Sequence, residues 1–113
     1  SMGPASKPES VGGSFATAGT LTAEGIEVAI TTDHDVTPLW LLPSFAAMCV
    51  REGMEEYDAL RAITIVPAKA IGIDDRVGSI KVGKDADIAV FSGNPFNYLT
   101  KTRAVFINGV RVE

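Results

Sequence analysis

Apolar residues recur at Phe15, Ala18 and Leu21, a spacing that predicts a short helix running from a Ser14 cap to about Glu24. Gly25 suits the left-handed position that ends a helix. Residues 26–30 (IEVAI) are then apolar on both sides except at Glu27, the pattern of a short strand buried in a parallel sheet. This run leads into Thr31-Thr32-Asp33-His34-Asp35. Thr37 and Pro38 form an N-cap and first-turn pair for a helix to about Glu52, with Leu39, Leu42, Ala46, Cys49 and Val50 along one side. Pro43 falls in its first turns, where a missing N–H is tolerated or bends the helix slightly. Gly53 separates it from a helix over residues 55–63, with Ala59, Leu60 and Ile63 facing inward. Pro67 opens a further helical turn that ends at Gly72.

The pattern changes near Asp74. Residues 77–82, 87–91 and 103–112 read as strands, joined by glycine-containing turns. Asn108-Gly109, between VFI and VRV, is a two-residue hairpin signal. Residues 83–87 (GKDAD) make a polar turn into the strand before it. Residues 1–13 carry Gly, Pro and Ser and predict an irregular, flexible lead-in, whose Ser1 and Met2 read as an expression remnant. The order helix, strand, helix, helix and then strands is an α/β organisation.

Composition narrows the function classes. At 113 residues, 46% hydrophobic and 21% charged, the chain has material for one folded domain. A net charge of −4 with scattered basic residues leaves no electrostatic footprint for nucleic acid. No run approaches the ~18 apolar residues of a membrane span, and no signal peptide is visible. Cys49 is the single cysteine, so no internal disulfide can form. Its apolar helical setting reads as a small hydrophobe in a reducing, cytoplasmic compartment.

Asp33 is the main candidate for chemistry. A carboxylate directly after a buried strand stands where α/β folds place active-site groups, and it can ligate a metal or take a proton from water. Asp is also common there as an Asx turn or helix cap, so position alone leaves both readings open. His34, the only histidine, reads as a ligand, a supporting group or an exposed loop residue. Asp35 reads as a residue lining the loop before Thr37. A catalytic zinc takes about three protein ligands plus water. Three consecutive side chains cannot all point one way from a strand, and no HxH, HExxH or CxxC pair is present. There is likewise no G-x-S-x-G elbow and no phosphate-binding loop.

The stretch ALRAITIVPAKAIGIDDRVGSIKVGKDADIAVF, with GIEVAITTDHD before it and AVFINGVRV after it, resembles the C-terminal part of amidohydrolase-superfamily enzymes, nearest the imidazolonepropionase-related branch. The resemblance runs from about Lys7 to Val112 and corresponds to about the last quarter of a full-length member. It implies the terminal strand and helices of an incomplete (β/α) barrel over residues 14–73, followed by a small β-rich piece of the amidohydrolase β-sandwich over 74–113. By this resemblance residues 26–30 are the eighth barrel strand, and Asp33 is the aspartate that ligates the metal and shuttles a proton to and from the hydrolytic water. The histidines of the earlier strands are not in this sequence. Val66 stands before Pro67 where relatives often carry Asn.

The implied function is part of a metal-dependent amidohydrolase that opens a C–N bond of a small cyclic amide or related substrate with metal-activated water. The metal of the parent is a divalent ion, zinc or iron, and this chain alone is expected to bind none and to be inactive. A barrel takes about 250 residues, so unpaired edges here predict a homo-oligomer. The alternative is a non-catalytic structural or interaction module on the same scaffold. A small enzyme with its own chemistry at residues 33–35 is a third reading, and it would need a tightly held divalent ion.

Overall fold

The computed structural model describes residues 13–113, so the expected lead-in lies outside it except for Gly13. Among the described residues, four α-helices precede a three-stranded antiparallel sheet: α1 Ala16–Ala23, α2 Leu42–Arg51, α3 Glu56–Ala62, α4 Ile65–Ala70, β1 Ile88–Phe91, β2 Thr102–Ile107 and β3 Val110–Arg111. Ser14 holds the start of α1 as its sequence suggests, its Oγ accepting from the Ala16 N–H at 3.1 Å. Gly25 follows the helix at φ 85°.

α2 starts later than the Thr37-Pro38 pair suggested. Leu39–Leu41 form a 3-10 turn, and the α-helix begins at Leu42 with Pro43 in its first turn. Proline lacks the N–H an interior position must donate, so the helix can begin around Pro43 but not run through it. Ala46 and Cys49 are fully buried on its inner face, with Leu42, Phe45 and Val50 packed beside them. α3 and α4 bury Ala59, Ala62, Val66 and Ala68, whereas Leu60 faces outward. Small side chains at these contacts let the helix backbones approach closely. Phe15 and Phe45 stack across α1 and α2 with ring centroids 6.0 Å apart.

The hairpin forms where expected. Asn108 and Gly109 have φ of 49° and 79°, the two positive values a type I′ turn demands. β1 pairs with β2 over Ile88↔Phe106 to Phe91↔Thr102, with a bulge that leaves Arg103 unpaired. Residues 92–100 connect the sheet to the helices: Phe96 packs on the helical core and the Asn94 side chain donates to Glu56.

Two expected strands are not strands. Among the described residues, 26–30 and 77–82 belong to no sheet. A strand exists only by pairing, and no described segment lies alongside either one to pair with it. Residues 27–33 still show the period of an extended chain, although Ile26 before them is exposed. Ile30 and Thr32 are buried and Val28 half-buried, while Glu27, Ala29, Thr31 and Asp33 are exposed. A backbone bond from the Ile30 N–H to the Ala62 carbonyl, 2.9 Å, helps fix this segment to the end of α3.

Candidate functional site

Asp33 closes the segment whose alternate residues face the helices. Parity puts it on the outer face with Glu27, Ala29 and Thr31. Its φ of 53° is the left-handed conformation, which Asp and Asn tolerate better than other side-chain-bearing residues. The local bonds explain the turn. The Asp33 N–H donates to Thr31 Oγ1 at 3.2 Å, and its carbonyl accepts from Val36 N–H at 2.7 Å. Both bonds use the backbone, and the Asp33 carboxylate makes no hydrogen bond or ion pair among the described residues. Asp33 therefore does not cap the helix that follows; its carboxylate is exposed and open to a ligand or a proton.

His34 does not join it. Its Nε2 lies 3.0 Å from Asp35 Oδ1, and the two side chains are 53% and 94% exposed. Asp35 thus pairs with its neighbour on the surface. Among the described residues no three His, Cys, Asp or Glu side chains converge as a metal would require. The residues present offer one hard oxygen donor at Asp33, which suits a divalent cation as one ligand of several but does not make a site. Cys49 is buried away from this loop on α2, and burial raises its thiol above the ordinary value of 9.0. It is a core residue.

A second cluster escaped sequence reasoning. Glu27 Oε1 accepts from Lys69 Nζ and from Arg61 Nη2, each at 2.9 Å. Lys69 is the chief cause of a lowered Glu27 pKa, with Arg61 adding to it. These bonds tie the segment carrying Asp33 to both α3 and α4. The available signal was a single acid within an otherwise apolar run, but its partners lie 34 and 42 residues away. Asp58, 3.7 Å from Arg61, completes a cluster of two acids and two bases whose charges cancel.

The GKDAD turn is a set of structural ties. Lys84 Nζ donates to the carbonyls of Asp74 and Val77 and to Ser79 Oγ. Arg76 reaches Asp85 Oδ2 through both Nε and Nη2, at 3.1 and 2.7 Å. Asp87 accepts from the Asn108 N–H at 2.8 Å and so holds the hairpin turn. The motif positions loops.

Comparison with known proteins adds what the isolated geometry lacks. Residues 3–112 match the model of the "Amidohydrolase family". An imidazolonepropionase of Fusobacterium nucleatum is 31% identical over 106 residues, 84% of this chain and 25% of that protein. An N-acetylglucosamine-6-phosphate deacetylase of Haemophilus influenzae is 54% identical over a shorter stretch, 37 residues, 33% of this chain and 10% of that protein. The crystal structure of an amidohydrolase from Thermotoga maritima superimposes with a TM-score of 0.90 at 40% identity, covering 96% of this chain and 28% of that one. The chain thus spans between a tenth and about a quarter of the length of these curated relatives.

Proposed function

The chain belongs to the amidohydrolase family, and from that premise we propose that it is the C-terminal part of a hydrolase that cleaves a C–N bond of a small cyclic amide or related substrate. Residues 14–73 supply the last barrel strand and the helices around it, and residues 74–113 supply part of the β-sandwich. The observation that carries this reading is the Asp33 carboxylate, exposed and unpaired at the end of an extended segment whose other face is locked to the helices. Imidazolonepropionase relatives support a cyclic amide as the substrate class.

Asp33 works in two proton transfers. It accepts a proton from the water whose oxygen bonds to the substrate carbonyl carbon, and it returns that proton to the nitrogen as the C–N bond breaks. A divalent metal, zinc or iron, would be held by Asp33 together with ligands from polypeptide outside these 113 residues, and it would supply polarisation of water and carbonyl. No further step follows from the residues present. The chain by itself is inactive, and its copies associate through the unpaired edges of residues 26–30.

The test is Asp33→Asn in a protein that contains these residues together with the rest of an amidohydrolase. Asn tolerates the left-handed backbone, so the fold is kept while the proton carrier is lost. The expected loss in kcat is about 10²–10⁴-fold. Unchanged kcat would remove Asp33 from the chemistry and favour the alternative, a non-catalytic structural or interaction module.

A further inference from the structure

Asn108 is exposed at the tip of the β2–β3 hairpin, and a glycine follows it. An asparagine before glycine is open to attack on its side-chain amide by the next backbone nitrogen, because no side chain shields that nitrogen. The other two asparagines lack this arrangement. Asn94 precedes Pro95, which has no N–H to lose, and Asn97 precedes the bulky Tyr98. Their side-chain oxygens also accept from the Phe96 and Leu99 N–H groups, each at 2.9 Å. The Asn108 side chain makes no hydrogen bond among the described residues. The closed turn nevertheless blocks the reaction. A type I′ turn sets ψ of its first central residue near about +30°, which points the following nitrogen away from that residue's own Cβ. Ring closure needs the two nearly eclipsed. The Gly109 N–H is also engaged, donating to the Ala86 carbonyl at 3.0 Å, while the Asn108 N–H donates to Asp87 Oδ1 at 2.8 Å. These two bonds anchor the turn to residues 86 and 87. The rest of this end is thinly held: β3 is two residues long, and Ile107, Val110 and Val112 are each more than half exposed.

We propose that Asn108 is a site of spontaneous deamidation, held in check by the two bonds to residues 86 and 87 and released when this end of the hairpin opens locally. In the opened chain the Gly109 nitrogen gives its proton to hydroxide and attacks Asn108 Cγ. The bond from Cγ to Nδ2 breaks, and ammonia leaves with a proton taken from water. A second water then opens the five-membered imide at either of its carbonyls. The net change is amide plus water to acid plus ammonia, and the product at position 108 is an aspartyl or an isoaspartyl residue. Either one places a new carboxylate on the residue whose N–H the Asp87 carboxylate binds, so like charges meet at the anchor. The isoaspartyl form also adds one carbon to the main chain, and the Ile107↔Val110 pair cannot re-form in register. The turn thus carries a slow, one-way step that loosens the hairpin. The inference is independent of the role of Asp33.

The test incubates the 113-residue chain beside a synthetic peptide of the sequence AVFINGVR, residues 104–111, in the same mildly alkaline buffer. Samples are digested under acidic conditions and mapped by mass spectrometry, with aspartyl and isoaspartyl forms separated by chromatography. The expected result is conversion of amide to acid at position 108, with Asn94 and Asn97 unchanged, at a rate at least about tenfold below that of the free peptide. Asp87→Ala removes one anchor and should raise the rate in the chain at least about threefold. Hydrogen exchange in α2 and α3 equal to that of the parent verifies that this variant keeps the fold. Conversion in the parent chain at the peptide's rate would overturn the proposal, since the turn would then offer no restraint. So would an unchanged rate in Asp87→Ala, or conversion that begins only when urea unfolds the helices as well.

Discussion

Asp33 has a local reason for its shape and no local reason for its charge. Its backbone turns through two short bonds that a glycine or asparagine could equally make, while the carboxylate touches nothing described. Asp33→Ala should destabilise the fold by about 1–2 kcal/mol through the left-handed backbone, and Asp33→Asn should leave thermal unfolding unchanged. Glu27 behaves oppositely, because its charge is used. With its folded pKa held below the ordinary 4.5 by Lys69 and Arg61, its contribution is present above that value and is lost as pH falls through the folded pKa. Melting temperature measured from pH 6 downward should therefore drop less steeply for Glu27→Gln than for the parent chain below about pH 4.5. Gly78 shows a third constraint. At φ 85° an added Cβ would stand 2.8 Å from Ala68 Cβ, so Gly78→Ala should cost about 1–3 kcal/mol in urea unfolding. Asp33 could be picked from the sequence because its setting, the end of an apolar run, is contiguous. Glu27 could not, because the charges that fix it come from helices far along the chain.

Elements built from their own residues follow the hydrophobic pattern closely. α2 keeps Leu42, Ala46, Cys49 and Val50 on one face, and the hairpin closes at Asn108-Gly109 because both residues tolerate the positive φ values the turn requires. Gly109→Val should destabilise by about 1–2 kcal/mol for the same reason. The start of α2 moved because Pro43, and not the Thr37-Pro38 pair, sets where helical hydrogen bonding can begin. Residues 26–30 and 77–82 have the composition of strands, but a strand is defined by its neighbour, and composition carries no record of which neighbour is at hand. At Cys49, wholly buried, a hydroxyl would be desolvated in an apolar setting. Cys49→Ser should lower stability by about 1–3 kcal/mol, while Cys49→Ala in the same background should cost less.

At the scale of the whole chain, the helices bury a core of small residues while Trp40, Ile80 and Val82 stay exposed. Among the described residues no helix is long and apolar enough to cross a membrane, so these side chains do not mark a helical span. Family and helical layout were legible because motifs such as GKDAD hold local loops together; of the candidate site only Asp33 was legible, and its role as a ligand is a proposal. The measurement that bears most directly on this account is turnover by the purified 113-residue chain. A cyclic amide such as an imidazolone is supplied with added zinc or ferrous ion, with chelator and Asp33→Ala as controls. The account predicts no hydrolysis above the uncatalysed rate under any of these conditions. Steady turnover that chelator and Asp33→Ala both abolish would contradict it.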